Sequence, residues 1–375
     1  MPLPLCFAVA TGIVVFSLYF SSRAVMPVEI LRFCSYFAMP ECLSLKITEL
    51  KNELLMTFCP DEHQQLMNSV QKDSMQEEIT QERNFNDLSE TPDDIEQIMQ
   101  TFALTENEIE YDGVTLERSY SDYQATDSYG NVYIRNTTEI GDVDIKGILT
   151  DGCSLPIENF NAPTVLIFHT HSTESYKITD NGKILSSDSS RSNNKSLNMI
   201  RIGEEISAVL RSEGVGVIHD TTIYDTSYNG AYGASREGIS RILAENPTIK
   251  IVLDIHRDAV HYDDYTYIKP TAEINGEKAA QLMIITGAQG GGVKDFPNWR
   301  KNLSFAVNLQ SALESKYAGL MKPVLFSHRK YNMDITEYSL LIEVGTDANT
   351  LEEAAYSGRL LGDVLADFIK ENQEM

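Results

Sequence analysis

From Pro163 onward, short apolar runs alternate with stretches of helical periodicity. Val165 to Phe168 is continuously apolar, as in a strand buried on both faces. Leu197 to Glu213 puts Leu197, Ile200, Ile206, Val209 and Leu210 on one helical face, and Gly214 supplies a left-handed cap. Val215 to Ile218 reads as a second strand. Ser235 can cap a helix reaching Asn246, with Ile239, Ile242 and Leu243 inward. Ile249–Ile255 and Gln281–Thr286 read as further strands, Asn298–Tyr317 as a helix and Ser339–Val344 as another buried strand. Thr350-Leu-Glu-Glu353 is a capping box that opens a final helix through Lys370. This alternation predicts an α/β fold: an open, mostly parallel sheet with helices on both faces. In such sheets ligands bind beyond the carboxyl ends of the strands.

The pattern before Pro163 is different. Residues 131–160 alternate apolar and polar positions, as short strands do. Residues 61–130 are acidic and poor in large aliphatic residues, and residues 27–60 mix Pro, Cys and apolar positions. We read 26–130 as an acidic, partly disordered linker or stalk. Leu3 to Phe20 carries no charge over 18 residues, near the lower limit for a membrane-spanning helix. We therefore expect a transmembrane anchor over 1–25 and a catalytic domain over 131–375. A cleaved signal peptide is the rival, although no basic residue precedes the apolar run. The first basic residues, Arg23 and Arg32, follow it, and the positive-inside rule taken literally would place the remaining chain in the cytoplasm.

Charge narrows the function. The 375-residue chain has a formal net charge of −25, and residues 61–160 alone hold 23 Asp and Glu against 5 Lys and Arg. Phosphate binding needs a basic face, so nucleic acid is not an expected partner. Five cysteines, Cys6, Cys34, Cys42, Cys59 and Cys153, are too few and too unevenly spaced for a disulfide framework.

Three clusters of metal-competent residues fall at predicted strand ends: His169-Thr-His171-Ser-Thr-Glu174, Asp254-Ile-His256-Arg257-Asp258, and Glu343 followed by Gly345 and Asn349. Adjacent parallel strands would bring them to one sheet edge. Imidazoles with a carboxylate suit zinc, and a further carboxylate can take the proton of a metal-bound water. A lone strand-end histidine is usually structural, and His219, His261 and His328 are read that way.

VLIFHTHSTESY (165–176), IHDTTIYDTSYNGAYGASREGI (218–239), IVLDIHRDAV (251–260) and LLIEVGTDANTLEEA (340–354) together resemble the stage II sporulation protein P family, over roughly residues 130–370. That family is more distantly similar to zinc-dependent N-acetylmuramoyl-L-alanine amidases. The resemblance implies an amidase-like (phosphorylase/hydrolase-like) sheet. It also implies zinc at His171 and His256, Glu343 as the general base, and Arg236 at a helix start near the site. Those amidases draw a carboxylate ligand from the place where this chain has Asn194. Glu174 is the nearest replacement, with His169 a further choice, and His171-x-x-Glu174 is also the spacing of zinc carboxypeptidases. His169 follows the same strand as His171 and is expected on its side, as an outer-shell group, an oxyanion donor or a ligand. Arg257 and Asp258, with Arg236, are expected to orient the site.

The implied substrate is peptidoglycan, cut between the lactyl group of muramic acid and L-alanine, with cross-link peptide bonds as a further target. The implied setting is forespore engulfment, with the catalytic domain outside the engulfing mother-cell membrane and stage II sporulation proteins D and M as partners. Two rivals remain. One is a carboxypeptidase-like enzyme acting on stem peptides, with Arg257 or Arg300 as carboxylate clamp. The other is a non-catalytic wall-binding module on the same fold.

Overall fold

The computed structural model describes residues 87–103, 111–121, 124–185 and 190–373. The anchor expected over 1–25 and the linker up to residue 86 lie outside these. Among the described residues no helix is long and apolar enough to cross a membrane.

In chain order the elements are α1 (Asp93–Ala103), β1 (Tyr111–Arg118), β2 (Asp127–Tyr129), β3 (Val132–Asn136), α2 (Ile145–Asp151), β4 (Pro163–Phe168), β5 (Lys183–Leu185), α3 (Met199–Ser212), β6 (Gly216–His219), α4 (Ala231–Glu245), β7 (Ile251–Asp258), β8 (His261–Asp263), β9 (Thr266–Ile274), β10 (Glu277–Ala280), β11 (Leu282–Gly287), α5 (Trp299–Lys316), β12 (Val324–Ser327), β13 (Tyr338–Thr346) and α6 (Leu351–Asn372). Eight strands form the main sheet in the order β2-β3-β12-β11-β13-β7-β4-β6. β6, β4, β7 and β13 run parallel, as do β11, β12 and β3, and the two sets meet in the antiparallel pair β11–β13. The fold is mixed α/β.

Helices cover the two faces unequally, and this makes the site. Alternate residues of each strand point to opposite faces. Val165, Ile167, Ile251, Leu253, Ile255, Leu340, Ile342 and Val344 point into the large core with residues of α3, α5 and α6. On the other face Leu166, Phe168 and Val252 pack under Ile239 of α4. Beyond β7 no helix of the described residues lies over this second face, and a cavity opens across β13, β11 and β12.

Several boundaries departed from expectation. The helix read from Ser235 begins four residues earlier, at Ala231, after Gly230. Residues 145–151, part of the stretch read as short strands, form α2. Asp144 accepts a hydrogen bond from Gly147 N and caps it, and Gly152 closes it at φ 70°. The apolar residues Val143, Ile145, Ile148 and Leu149 fit either period over so short a run. Part of the expected stalk is also folded. α1 buries Ile95 in the core, and β1 joins a second sheet of order β10-β9-β1-β5, pairing in parallel with β9. The capping box at Thr350 and Glu353 is present, and Gly214 follows α3 at φ 78°.

Candidate active site

The strand ends of β4, β7 and β13 supply the chemistry. Glu343 of β13 pairs in register with His256 of β7 and, on its other side, with Met283 of β11. Residues paired in this way point to the same face, here the uncovered one. β4 ends at Phe168 and the chain turns, so His169 and His171 do not continue the strand's alternation. Asp254 of β7 accepts hydrogen bonds from Thr170 N at 2.8 Å and Thr170 Oγ1 at 2.6 Å, which holds the turn down on β7. His171, Glu174, His256 and Glu343 all line one cavity of about 520 Å³.

His169 goes the other way, correcting the expectation that it shares the side of His171. It is fully buried; its Nδ1 donates to Ile255 O at 2.9 Å, and its Nε2 lies 2.9 Å from His219 Nε2. Gly203 of α3 packs directly on this pair: a Cβ there would come within 2.5 Å of both rings. His169 is thus the structural anchor of the turn.

Within the cavity His256 is the centre of charge. Its Nδ1 lies 3.7 Å from Glu174 Oε2, and its Nε2 lies 2.8 Å from Asp254 Oδ1. The Asp254 approach is within ion-pair distance but off the line of the ring N–H, so Nε2 makes no hydrogen bond. Burial opposes a charge on His256, but Asp254, Glu174 and Glu343 outweigh it and raise the imidazole to about 9. His171 packs edge-on against His256, ring centroids 5.5 Å apart; burial and the neighbouring His256 lower it to about 4. Burial raises Glu174. Burial also raises Glu343 to about 8, with Asp258 and Glu174 adding to it and His256 opposing it. Glu343 Oε2 is buried with no hydrogen-bond partner. A buried carboxylate oxygen left unpaired is costly unless a ligand or solvent group meets it.

The loop carrying His171 and Glu174 is fastened from below. Arg257 donates from Nε to Ser175 O at 3.0 Å and from Nη2 to Ser190 O at 2.6 Å, tying residues 175 and 190 to β7. Arg191 reaches Asp225 at 2.5 Å and Glu174 Oε1 at 3.6 Å. Asp258 pairs with Lys322 at 3.3 Å on the cavity wall. Arg236 does not line the cavity, contrary to the expectation that it orients the site. It forms a two-pronged ion pair with Asp334, both contacts at 2.8 Å, and fastens α4 to the loop before β13. Asn194 is an exposed turn residue whose side chain accepts from Ser196 N.

Some lining residues had no sequence signal. Tyr232, at the start of α4, stacks 6.5 Å from His256 and 5.0 Å from Tyr331, forming an aromatic wall. Arg135, Lys322 and Arg329 line the same cavity. His219 and His261 do have carboxylate neighbours, Glu204 at 3.2 Å and Asp347 at 3.1 Å, which the spacing had not suggested. Among the described residues, no group of three His, Cys, Asp or Glu side chains is disposed to hold a metal ion as they stand. In the cavity His256 Nδ1 stands 3.7 Å from Glu174 Oε2, with the His171 ring beside them.

Comparison with known proteins fixes the relationship. The family model described as Stage II sporulation protein P (SpoIIP) matches residues 45–366. The chain belongs to this family. The match reaches well upstream of the domain start expected at residue 131, in line with the folded α1 and β1. Stage II sporulation protein P of Bacillus subtilis (strain 168) is 29% identical over 215 residues, covering 54% of this chain and 50% of that protein. The SpoIIP chain described here thus spans about half the length of that curated relative. Among solved structures, the N-acetylmuramoyl-L-alanine amidase AmiC2 of Nostoc punctiforme is 13% identical, covering 56% of this chain and 96% of its own, with a TM-score of 0.33. The CwlD amidase from Clostridioides difficile, in complex with the GerS lipoprotein, is 14% identical, covering 56% and 99%, with a TM-score of 0.34.

Proposed function

We propose that this SpoIIP protein is a zinc-dependent peptidoglycan hydrolase that cuts the amide between the muramic acid lactyl group and L-alanine. The observation that carries the reading is the meeting of His171, Glu174, His256 and Glu343 in one cavity on the open half of a sheet face. The donor chemistry fits zinc. Two imidazoles and a carboxylate form a common catalytic set, and Asp254 lies 2.8 Å from His256 Nε2, an ion-pair distance from which it would orient the ring once an ion is held. The three carboxylates around His256, among them Glu343 with its unpaired Oε2, make a desolvated spot that a cation would neutralise. His171, Glu174 and His256 would hold the ion, drawn closer than they stand.

When bound, zinc supplies a water acidic enough to lose its proton near neutral pH, at about 7. This chain's residues do the rest. Glu343 accepts that proton on its carboxylate and returns it to the departing amine nitrogen of L-alanine, so that one amide C–N bond is exchanged for an acid and an amine. Arg257 keeps the His171–Glu174 loop seated on β7 through the reaction. Tyr232 walls one side of the cavity and limits the water that reaches His256.

Membership of the family supports a role in sporulation. We extend the proposal to a membrane anchor over 1–25, to action outside the engulfing membrane, to a remaining linker upstream of α1, and to the D and M proteins of the same stage as partners. The carboxypeptidase alternative loses its clamp: Arg257 is spent on backbone carbonyls, and Arg300 packs over the Trp299 ring, 4.1 Å away, and does not line the cavity.

Mass analysis of purified peptidoglycan digested by the zinc-loaded protein checks this. Whole stem peptides with a free L-alanine amino group, beside sugar chains without peptide, are expected. Release of single terminal residues would move the reading to the carboxypeptidase, and bound but undigested wall would move it to a binding module.

A further inference from the structure

The cavity does not end at the carboxylate cluster. It runs across the sheet from His256 on β7 past Glu343 and Leu341 on β13, Met283 and Ile285 on β11 and Leu325 on β12. Leu325 pairs with Arg135 of β3, which lines the far end. Four inter-strand spacings separate β7 from β3, about 19 Å. The middle of this floor is apolar. Its charges are divided: Glu174, Asp258 and Glu343 belong to the β7–β13 end, where Asp258 neutralises Lys322. Arg135 is exposed and makes no ion pair among the described residues. Arg329, on the loop after β12, is held by the Tyr331 hydroxyl and lies over that ring, its guanidinium carbon 5.4 Å from the centroid, with no carboxylate partner among the described residues. In a chain of net charge −25, Arg135 and Arg329 lining one cavity without an acid, beside Arg257 whose guanidinium is spent on backbone carbonyls, depart from the general charge pattern.

We infer that Arg135 and Arg329 form a subsite for a free carboxylate on the peptide stem of the substrate, several residues beyond the scissile amide. The inference rests on the reading of the cavity as a peptidoglycan site. Stem peptides carry carboxylates along their length, and a guanidinium binds a carboxylate through paired hydrogen bonds. An extended peptide advances roughly 3.3–3.6 Å per residue, so with the arginine side chains leaning back over the floor the distance spans roughly three to five residues. The apolar floor of Met283, Ile285, Leu325 and Leu341 suits the aliphatic parts of the intervening residues. Arg135 stands too far along this floor for a clamp that holds the terminal carboxylate one residue from the cut bond, so the subsite selects a long stem.

The test measures binding, so it needs no turnover. Full-length Glu343→Gln protein is titrated calorimetrically with muropeptides of one stem sequence, in which each carboxyl group is free or amidated in turn. Amidating one particular carboxyl is expected to weaken binding roughly tenfold or more, the value of a charge-assisted hydrogen-bond pair. The position whose amidation matters identifies which stem residue the arginines hold. Arg135→Gln with Arg329→Gln, both exposed and checked for folding by circular dichroism, is expected to erase the preference while leaving the amidated fragment's affinity unchanged. Equal binding of free and amidated fragments, no binding of either, or a preference that survives in the double variant would overturn the inference. Wild-type protein that keeps the preference but cuts no wall would sink the hydrolase reading and leave the subsite. Cutting without the preference would do the reverse.

Discussion

Glu343→Gln is expected to lower wall digestion by about 10²- to 10⁴-fold, the range in which a positioned general base acts. The substitution removes only the ability to take a proton. Its volume is unchanged, and Oε2 makes no hydrogen bond that an amide could break. Stability should therefore hold or rise slightly, because a buried carboxyl pushed up to about 8 costs more to ionise than a neutral amide costs to bury. Digestion assays on purified wall, run beside thermal unfolding, read both effects. Activity within a few-fold of wild type would remove Glu343 as the base and leave the proton to another group.

The second large effect belongs to the fold. Arg359 of α6 is fully buried, with Nη1 3.2 Å from the equally buried Glu205 of α3 and Nη2 3.0 Å from Glu352. Its Nε donates to Leu88 O at 2.7 Å. The two helices come close here because Gly358 and Gly362 face Ile202 and Ile206 of α3. Arg359→Ala leaves the buried Glu205 and the half-buried Glu352 short of a partner, and Arg201, 2.7 Å from Glu205, compensates for only the first. A loss of about 3–5 kcal/mol is expected from urea unfolding, the cost of breaking a buried pair from one side. Arg359→Met restores volume without charge. If it unfolds as easily as the alanine variant, the lost charge is responsible; if it is as stable as wild type, the network contributes nothing and the cavity explains the alanine result.

How much of this was legible in the sequence follows the physics of each element. Val165–Phe168, Ile251–Ile255 and Ser339–Val344 announce themselves as mainly apolar runs, buried but for Glu343. The polar residues that end them were therefore placed at one sheet edge without knowledge of the strand order. The turn after Phe168 was not visible, and with it the divergence of His169 from His171, because Asp254 holds that turn from 84 residues away. β1 was hidden for another reason. Val114 and Leu116 stay exposed, so the strand is held by backbone pairing with β9, some 150 residues later, and its own composition reads as linker. Arg236 was placed near the site by its position in a matching motif, yet Asp334, in a loop 98 residues on, captures it. Arg135 belongs to the cavity only because β3 pairs beside β12, a relation carried by topology and by no local pattern.

His171, Glu174 and His256 are expected to hold a catalytic metal together. Elemental analysis of purified protein after zinc loading and gel filtration tests it most directly, with His256→Ala alongside. About one zinc per chain in the wild type, lost in the variant while the fold persists, is the predicted result. Wild-type protein that retains no zinc, or a His256→Ala protein that retains as much as wild type, would contradict the account.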